Sequence, residues 1–149
     1  MAELSESVLV NASLGHAWDF YFEQGGWPAW VDGFGGVESS DGYPETGGTL
    51  VWRSTPAGRG TVRERVLAHE PRTLHRIAFS DPGSTGELTT RFAVEGEATR
   101  VTLELGYALA SPGPLSRLTD RLFVRGQQRQ ALQRTLARFR LEAEDLSAR

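Results

Sequence analysis

Thr61-Val62-Arg63-Glu64-Arg65-Val66-Leu67-Ala68, the turn Glu70-Pro71-Arg72, and Thr73-Leu74-His75-Arg76-Ile77-Ala78-Phe79-Ser80 form the stretch that decides the fold. Apolar and polar residues alternate on both sides of a short Pro-containing turn, the pattern of two half-buried strands joined as a hairpin. Successive side chains of a strand point to opposite faces, so Val62 and Val66 carry Glu64 to the apolar face while Arg63 and Arg65 point away. By the same rule Ile77 and Phe79 carry His75 inward.

The pattern continues outward in both directions. Residues 49–53 precede this hairpin, and residues 87–94 and 99–108 follow it. The separators Thr55-Pro56-Ala57-Gly58, Asp81-Pro82-Gly83 and Glu95-Gly96-Glu97 suit antiparallel hairpins rather than helical crossovers. Phe92 and Val94 share a face with Thr90, and Val101, Leu103 and Leu105 share one with Tyr107. Nearer the start, Ser7-Val8-Leu9-Val10 reads as a short strand, and Asn11-Ala12-Ser13 offers capping side chains to a helix through Ala17-Trp18-Asp19-Phe20-Tyr21-Phe22. Gly25-Gly26 breaks that helix, and Trp27-Pro28-Ala29-Trp30 starts a second short piece with Pro in its first turn. Residues 32–48 are rich in Gly and acid and are expected to hold only a brief strand around Val37-Glu38-Ser39. The stretches Gly33-Phe34-Gly35-Gly36 and Gly58-Arg59-Gly60 lack the strand-turn-helix context of a dinucleotide site and read as turns.

After Ser111-Pro112-Gly113-Pro114 the period changes. Leu118, Leu122, Leu132, Leu136, Phe139 and Ala143 hold to one side of a 3.6-residue helix. About thirty residues at 1.5 Å each would run roughly 45 Å, longer than a flat two-layer packing needs, so the sheet is expected to curl around this helix. The class is α+β, with helices segregated to one side of an antiparallel sheet.

Length and composition fit this reading. With 149 residues and 39% hydrophobic side chains the chain suits one domain with one core, residues 1–149. No apolar run approaches the 18 to 20 or so residues of a membrane span, and the acidic start Met1-Ala2-Glu3-Leu4-Ser5-Glu6 lacks the positive charge of a signal peptide. A cytoplasmic protein is expected. The chain has no Cys, which removes disulfides, thiolate nucleophiles and Cys-ligated metals. It also has no Lys, which removes Schiff-base chemistry and the P-loop lysine. His16, His69 and His75 lie in different expected elements without metal-ligand spacing, so neither a metal nor an organic cofactor is expected. A net charge of −3 argues against wholesale nucleic-acid binding.

The inward set is aromatic and apolar with a few polar groups, which suits a small-molecule pocket and equally an ordinary core. Trp27, Trp30, Trp52, His75, Phe79, Phe92 and Tyr107 are the expected cavity lining. Glu64, His75 and Tyr107 are the inward groups able to move protons. The last helix adds an anomaly: Arg117, Arg121, Arg125 and Arg129 stand at successive i+4 positions, where like charges repel. Seven arginines face one acid, Asp120, between Pro114 and Arg140. Arg125 and Arg129 drift toward the apolar stripe, so either their heads snorkel to water or they are paired, with Glu64 or a bound anion as partner.

Taken in order, Ala17-Trp18-Asp19-Phe20, Trp27-Pro28-Ala29-Trp30, Gly48-Thr49, Glu70-Pro71-Arg72-Thr73-Leu74, Thr99-Arg100-Val101-Thr102 and the helix from Ala131-Leu132 to Phe139 resemble the START-like SRPBCC superfamily, and within it the polyketide cyclase/dehydrase-like group. Each motif is weak alone; their order and spacing, over nearly the whole chain, give the specificity. Ser13-Leu14-Gly15-His16 departs from the group in lacking its usual Pro and acids at the first helix. The resemblance implies a helix-grip fold, a curved seven-stranded sheet wrapped around the last helix, with a cavity for apolar ligands between them. It also implies a range of roles, from lipid carriers to aromatase/cyclases. Binding of a small, largely apolar molecule, neutral or anionic and lipid- or polyketide-like, is the leading expectation. A polyketide aromatase/cyclase or dehydratase is the alternative, and a ligand-free interaction domain using the arginine face is a third.

Overall fold

The computed structural model describes residues 2–110 and 117–147, with residues 117–120 described by their backbone only. Seven strands form one antiparallel sheet: β1 (Ala2–Val10), β2 (Phe34–Asp41), β3 (Thr49–Ser54), β4 (Thr61–Glu70), β5 (Leu74–Asp81), β6 (Ser84–Glu95) and β7 (Ala98–Leu109). Their spatial order is β1-β7-β6-β5-β4-β3-β2, so β2 to β7 is an uninterrupted meander and β1 closes on its last strand. Helices α1 (Leu14–Tyr21) and α2 (Trp27–Trp30), separated by the 3-10 turn Gln24–Gly26, fill the long connection from β1 to β2. The helix α3 (Arg117–Ser147) lies against β1 and the two short helices. This is the helix-grip architecture.

Local chemistry explains the boundaries. Ser13 caps α1, its Oγ accepting from the His16 N–H at 3.2 Å, and Pro28 sits in the first turn of α2, where its missing N–H costs nothing. At Gly86 a Cβ would collide with the backbone of Gly106 and Tyr107 across the ladder. Glycine there lets β6 and β7 approach closely.

Three boundary expectations need correction. β1 starts at Ala2, because its pairing with β7 runs on to Tyr107 beyond the clean apolar alternation. β2 spans Phe34–Asp41 rather than three residues, and Gly35-Gly36 belong to it. Two register shifts against β3, between Phe34 and Gly36 and between Val37 and Ser39, break its period-2 pattern and so hid it. Only Gly33, at φ +71°, is the turn.

The core gathers the inward faces of the strands, the two short helices and one stripe of α3: Leu132, Leu136, Phe139 and Ala143. Leu122, expected on that stripe, is 65% exposed. At 100° per residue it sits about 70° off the stripe's centre, and it precedes the turns that meet the core. Val94 is likewise exposed, beside the turn of the β6–β7 hairpin. The side chains of Arg117 and Leu118 lie outside the described residues.

Candidate functional site

Between the sheet and the helices lies a cavity of about 570 Å³, a volume typical of small-ligand sites. Aromatic and aliphatic side chains form most of its wall: Tyr21, Trp27, Trp30, Phe34, Tyr43, Leu50, Trp52, Ile77, Phe79, Leu88, Leu103 and Leu105. Gln127, Gln128, Gln130 and Ala131 of α3 border it on the helix side. The connection from α2 to β2 is tied to α3 beside the cavity by Asp32. Its carboxylate accepts from Arg134 Nε at 3.0 Å and Nη2 at 3.1 Å, and its N–H donates to Thr135 Oγ1. Those guanidinium hydrogen bonds hold the Asp32 carboxyl below its ordinary value.

Glu64 is the ionisable group at the centre of this wall. Strand pairing sets it between Leu50 of β3 and Phe79 of β5. Protein atoms surround it, and the surface it retains faces the cavity. Trp52 Nε1–H donates to its Oε2 at 2.8 Å; its other oxygen has no hydrogen-bond partner among the described residues. Burial pushes the carboxyl up to about 7, against the Trp52 hydrogen bond and the nearby Arg59 charge, which both pull it down. Arg59 itself is engaged elsewhere. Its Nε donates to Asp81 Oδ2 at 2.8 Å, and its guanidinium lies 5.0 Å from the Phe79 ring centre and 5.5 Å from that of Trp52. A left-handed residue on each side, Ala57 at φ +66° and Gly60 at φ +82°, shapes the loop that carries it there.

His75 is 3% exposed and borders the cavity with its ring packed against Phe22 and Tyr43. A shift in pairing between Val66 and Ala68 brings His69 opposite His75, with their Nδ1 atoms 3.0 Å apart. One of the two must donate and the other accept, so the pair holds one shared proton. Burial first, and the His69 charge second, lower His75 to about 3, so it is neutral at physiological pH. Its Nε2 is buried without a partner among the described residues, as is Trp30 Nε1.

Trp27, Trp30, Trp52, Glu64, His75 and Phe79 thus meet around one cavity, and four other candidates do not reach it. Phe92 is buried against Trp18 and Tyr21, at 5.0 and 5.6 Å between ring centres, under α1. Tyr107 is buried near the far end of β7, where the strand pairs with Ala2 and Gly86. Arg129 donates to Glu6 of β1 and not to Glu64. The two glutamates are four strands apart in the sheet, roughly 19 Å at the usual strand spacing, beyond the reach of one side chain. Arg125 is half-buried on α3, does not line the cavity, and has no ion-pair partner among the described residues.

The Arg129–Glu6 pair is partly exposed, at 42% and 20%. Arg129→Ala is therefore expected to lower stability by no more than about 1 kcal/mol in urea unfolding, rather than the roughly 3 to 5 kcal/mol of a buried pair.

Sequence reasoning missed Tyr21, Tyr43 and Arg59. Tyr21 donates to or accepts from Thr90 Oγ1 at 2.7 Å. Burial and the Glu64 charge raise both tyrosines well above the ordinary phenol value. Tyr43 and Arg59 sit in connections without periodicity, so no strand phase could assign them a direction.

Residues 1–144 match the family model described as polyketide cyclase / dehydrase and lipid transport. The chain belongs to that family. Solved structures similar to it show the same fold at low identity. The Zhui aromatase/cyclase from Streptomyces sp. R1128 is 16% identical, with 96% of this chain and 93% of that one covered at a TM-score of 0.78. A protein from Thermus thermophilus is 19% identical over 98% and 99% of the two chains at 0.74. The di-domain aromatase/cyclase StfQ of the steffimycin biosynthetic pathway is 15% identical at 0.74, with 99% of this chain and 52% of that one covered. No protein of curated function matches. Family membership and these neighbours account for the helix-grip fold; the residues lining the cavity are this chain's own.

Proposed function

We propose that the protein binds a small, largely apolar molecule in the cavity between its sheet and α3. The observation that carries this is the wall itself, a space of about 570 Å³ enclosed mainly by aromatic and aliphatic side chains with Glu64 among them. Apolar surface lost from water on both sides drives such binding, and the ring faces favour a flat or unsaturated skeleton. Native mass spectrometry of protein purified from its own host should show a retained molecule. Leu88→Trp, which projects an indole into the space from β6, should abolish that retention and weaken an apolar fluorescent probe at least tenfold while the far-ultraviolet spectrum persists. Equal retention by this variant and the parent would sink the reading.

The second reading is an aromatase/cyclase or dehydratase, and one observation favours it. A carboxyl that titrates at about 7 inside an apolar cavity is suited to give and take a proton at physiological pH. Neither other proton-moving candidate supports it: His75 stays neutral with Nε2 walled off, and Tyr107 is outside the cavity. Turnover of a retained polyketide chain, lost in Glu64→Gln, separates catalysis from carriage.

A further inference from the structure

The second carboxylate oxygen of Glu64 and the hydroxyl of Tyr43 are cavity-wall atoms without partners among the described residues, and unlike the fully covered His75 Nε2 and Trp30 Nε1 they keep open surface. Both belong to side chains that are largely buried and that line the same cavity, the Tyr43 ring lying against His75, four residues along β5 from Phe79, the register partner of Glu64. His75 Nε2, though unpartnered, is walled off from the cavity, and three neighbouring polar side chains are engaged. Trp52 Nε1 is spent on Glu64, Tyr21 on Thr90, and Ser54 Oγ on Thr55 O and the Gly60 N–H. The one cation at this end among the described residues, Arg59, is neutralised by Asp81, whose side chain is 5% exposed. No charge on the described wall is thus free to receive an anion. Glu64 repels one when ionised.

Resting on the binding role proposed above, we propose that Glu64 and Tyr43 form a hydrogen-bonding site for an uncharged hydroxyl group on an otherwise apolar ligand. The chemistry of the pair selects this group among oxygen functions. An ionised Glu64 only accepts, and a protonated one donates, so a partner that does both fits either state. A hydroxyl does both, as does the Tyr43 phenol that completes the site. A ketone accepts only, and a carboxylate places like charge beside Glu64. Leaving buried acceptors unmatched costs more than a matched hydrogen bond yields, so a ligand lacking the hydroxyl is penalised twice. A bound anion, one of the partners expected for Arg125 and Arg129 from the sequence, is disfavoured at this end of the cavity by the charge of Glu64.

The test uses three probes of one skeleton and similar size: 2-naphthol, 2-methylnaphthalene and 2-naphthoate, titrated into the full chain at pH 8. Naphthol is expected to bind at least tenfold more tightly than the methyl compound, and naphthoate most weakly of the three. Tyr43→Phe should cut the naphthol preference about threefold or more, and Glu64→Leu should reduce it to within about twofold. Should Glu64→Leu fail to fold, Tyr43→Phe and Glu64→Gln carry the comparison, the latter restoring measurable naphthoate binding by removing the like charge. Equal binding of naphthol and methylnaphthalene by the parent would overturn the hydroxyl site and leave the apolar cavity standing. So would an unchanged preference in the variants. Binding of none of the three would overturn both.

Discussion

Between pH 4.5 and 6.5 the contributions of Glu64 and His75 to folding stability are expected to cancel, and either substitution alone unmasks the other. Glu64 has a folded value of about 7 against an ordinary 4.5, so the native state holds its proton more tightly than the unfolded chain does. Its contribution is present in full below pH 4.5 and is lost as pH rises to 7, at about 1.4 kcal/mol per unit. His75 has a folded value of about 3 against 6.5. The unfolded chain binds that proton first, so its contribution is present above pH 6.5 and is lost as pH falls toward 3. The slopes are equal and opposite where the two windows overlap. Glu64→Gln, which still accepts from Trp52, should match the parent near pH 4.5 and be more stable by on the order of 3 kcal/mol at pH 8. Its stability should fall steeply as acid is added below pH 6.5. His75→Gln should show the mirror image, gaining on the parent as pH drops from 6.5. Urea unfolding at pH 4.5, 5.5, 6.5 and 8 reads both differences. A Glu64→Gln increment that stays constant across that range would mean the carboxyl is solvated, which would also remove the second functional reading.

Phe139→Ala is expected to be the most damaging single truncation in α3. The ring is 1% exposed and meets Trp30, Phe20 and Tyr21 at 4.9, 5.6 and 5.9 Å between centres. It joins α3 to both short helices at one point. Removing it costs about 3 to 5 kcal/mol, since these large neighbours cannot collapse into the void, and lowers Tm by on the order of 10 °C. Two of its partners, Trp30 and Tyr21, line the cavity, so apolar-probe affinity should fall as well. Leu122→Ala on the same helix should change stability by less than about 0.5 kcal/mol, because its side chain already faces water. Calorimetric melts of the two variants decide the matter. Similar losses in both would mean that the beginning of α3 is packed as firmly as its middle.

The inward face of the meander was legible in the chain itself. Period-2 alternation around Val62, Glu64 and Val66, around His75, Ile77 and Phe79, and through Val101, Leu103 and Leu105 is a local property, fixed by the pleat whichever strands happen to pair. The 3.6-residue stripe of Leu132, Leu136, Phe139 and Ala143 is local in the same sense. From these the α+β class, the antiparallel order and the inward direction of Glu64 follow without coordinates. What tertiary structure alone decided is which inward residues stop short of contact and leave a space. Phe92 and Tyr107 share the phase of residues that line the cavity, yet one is covered by α1 and the other lies past the cavity near the strand's end. Arg129 has the helical phase to face the core but meets Glu6, because reach across a sheet depends on strand order and not on periodicity. Tyr43 and Arg59 come to the site from irregular connections, and the His69–His75 contact arises from a shift in register. Phase along a chain states a direction; whether anything lies in that direction, and at what distance, is set by elements far apart in sequence.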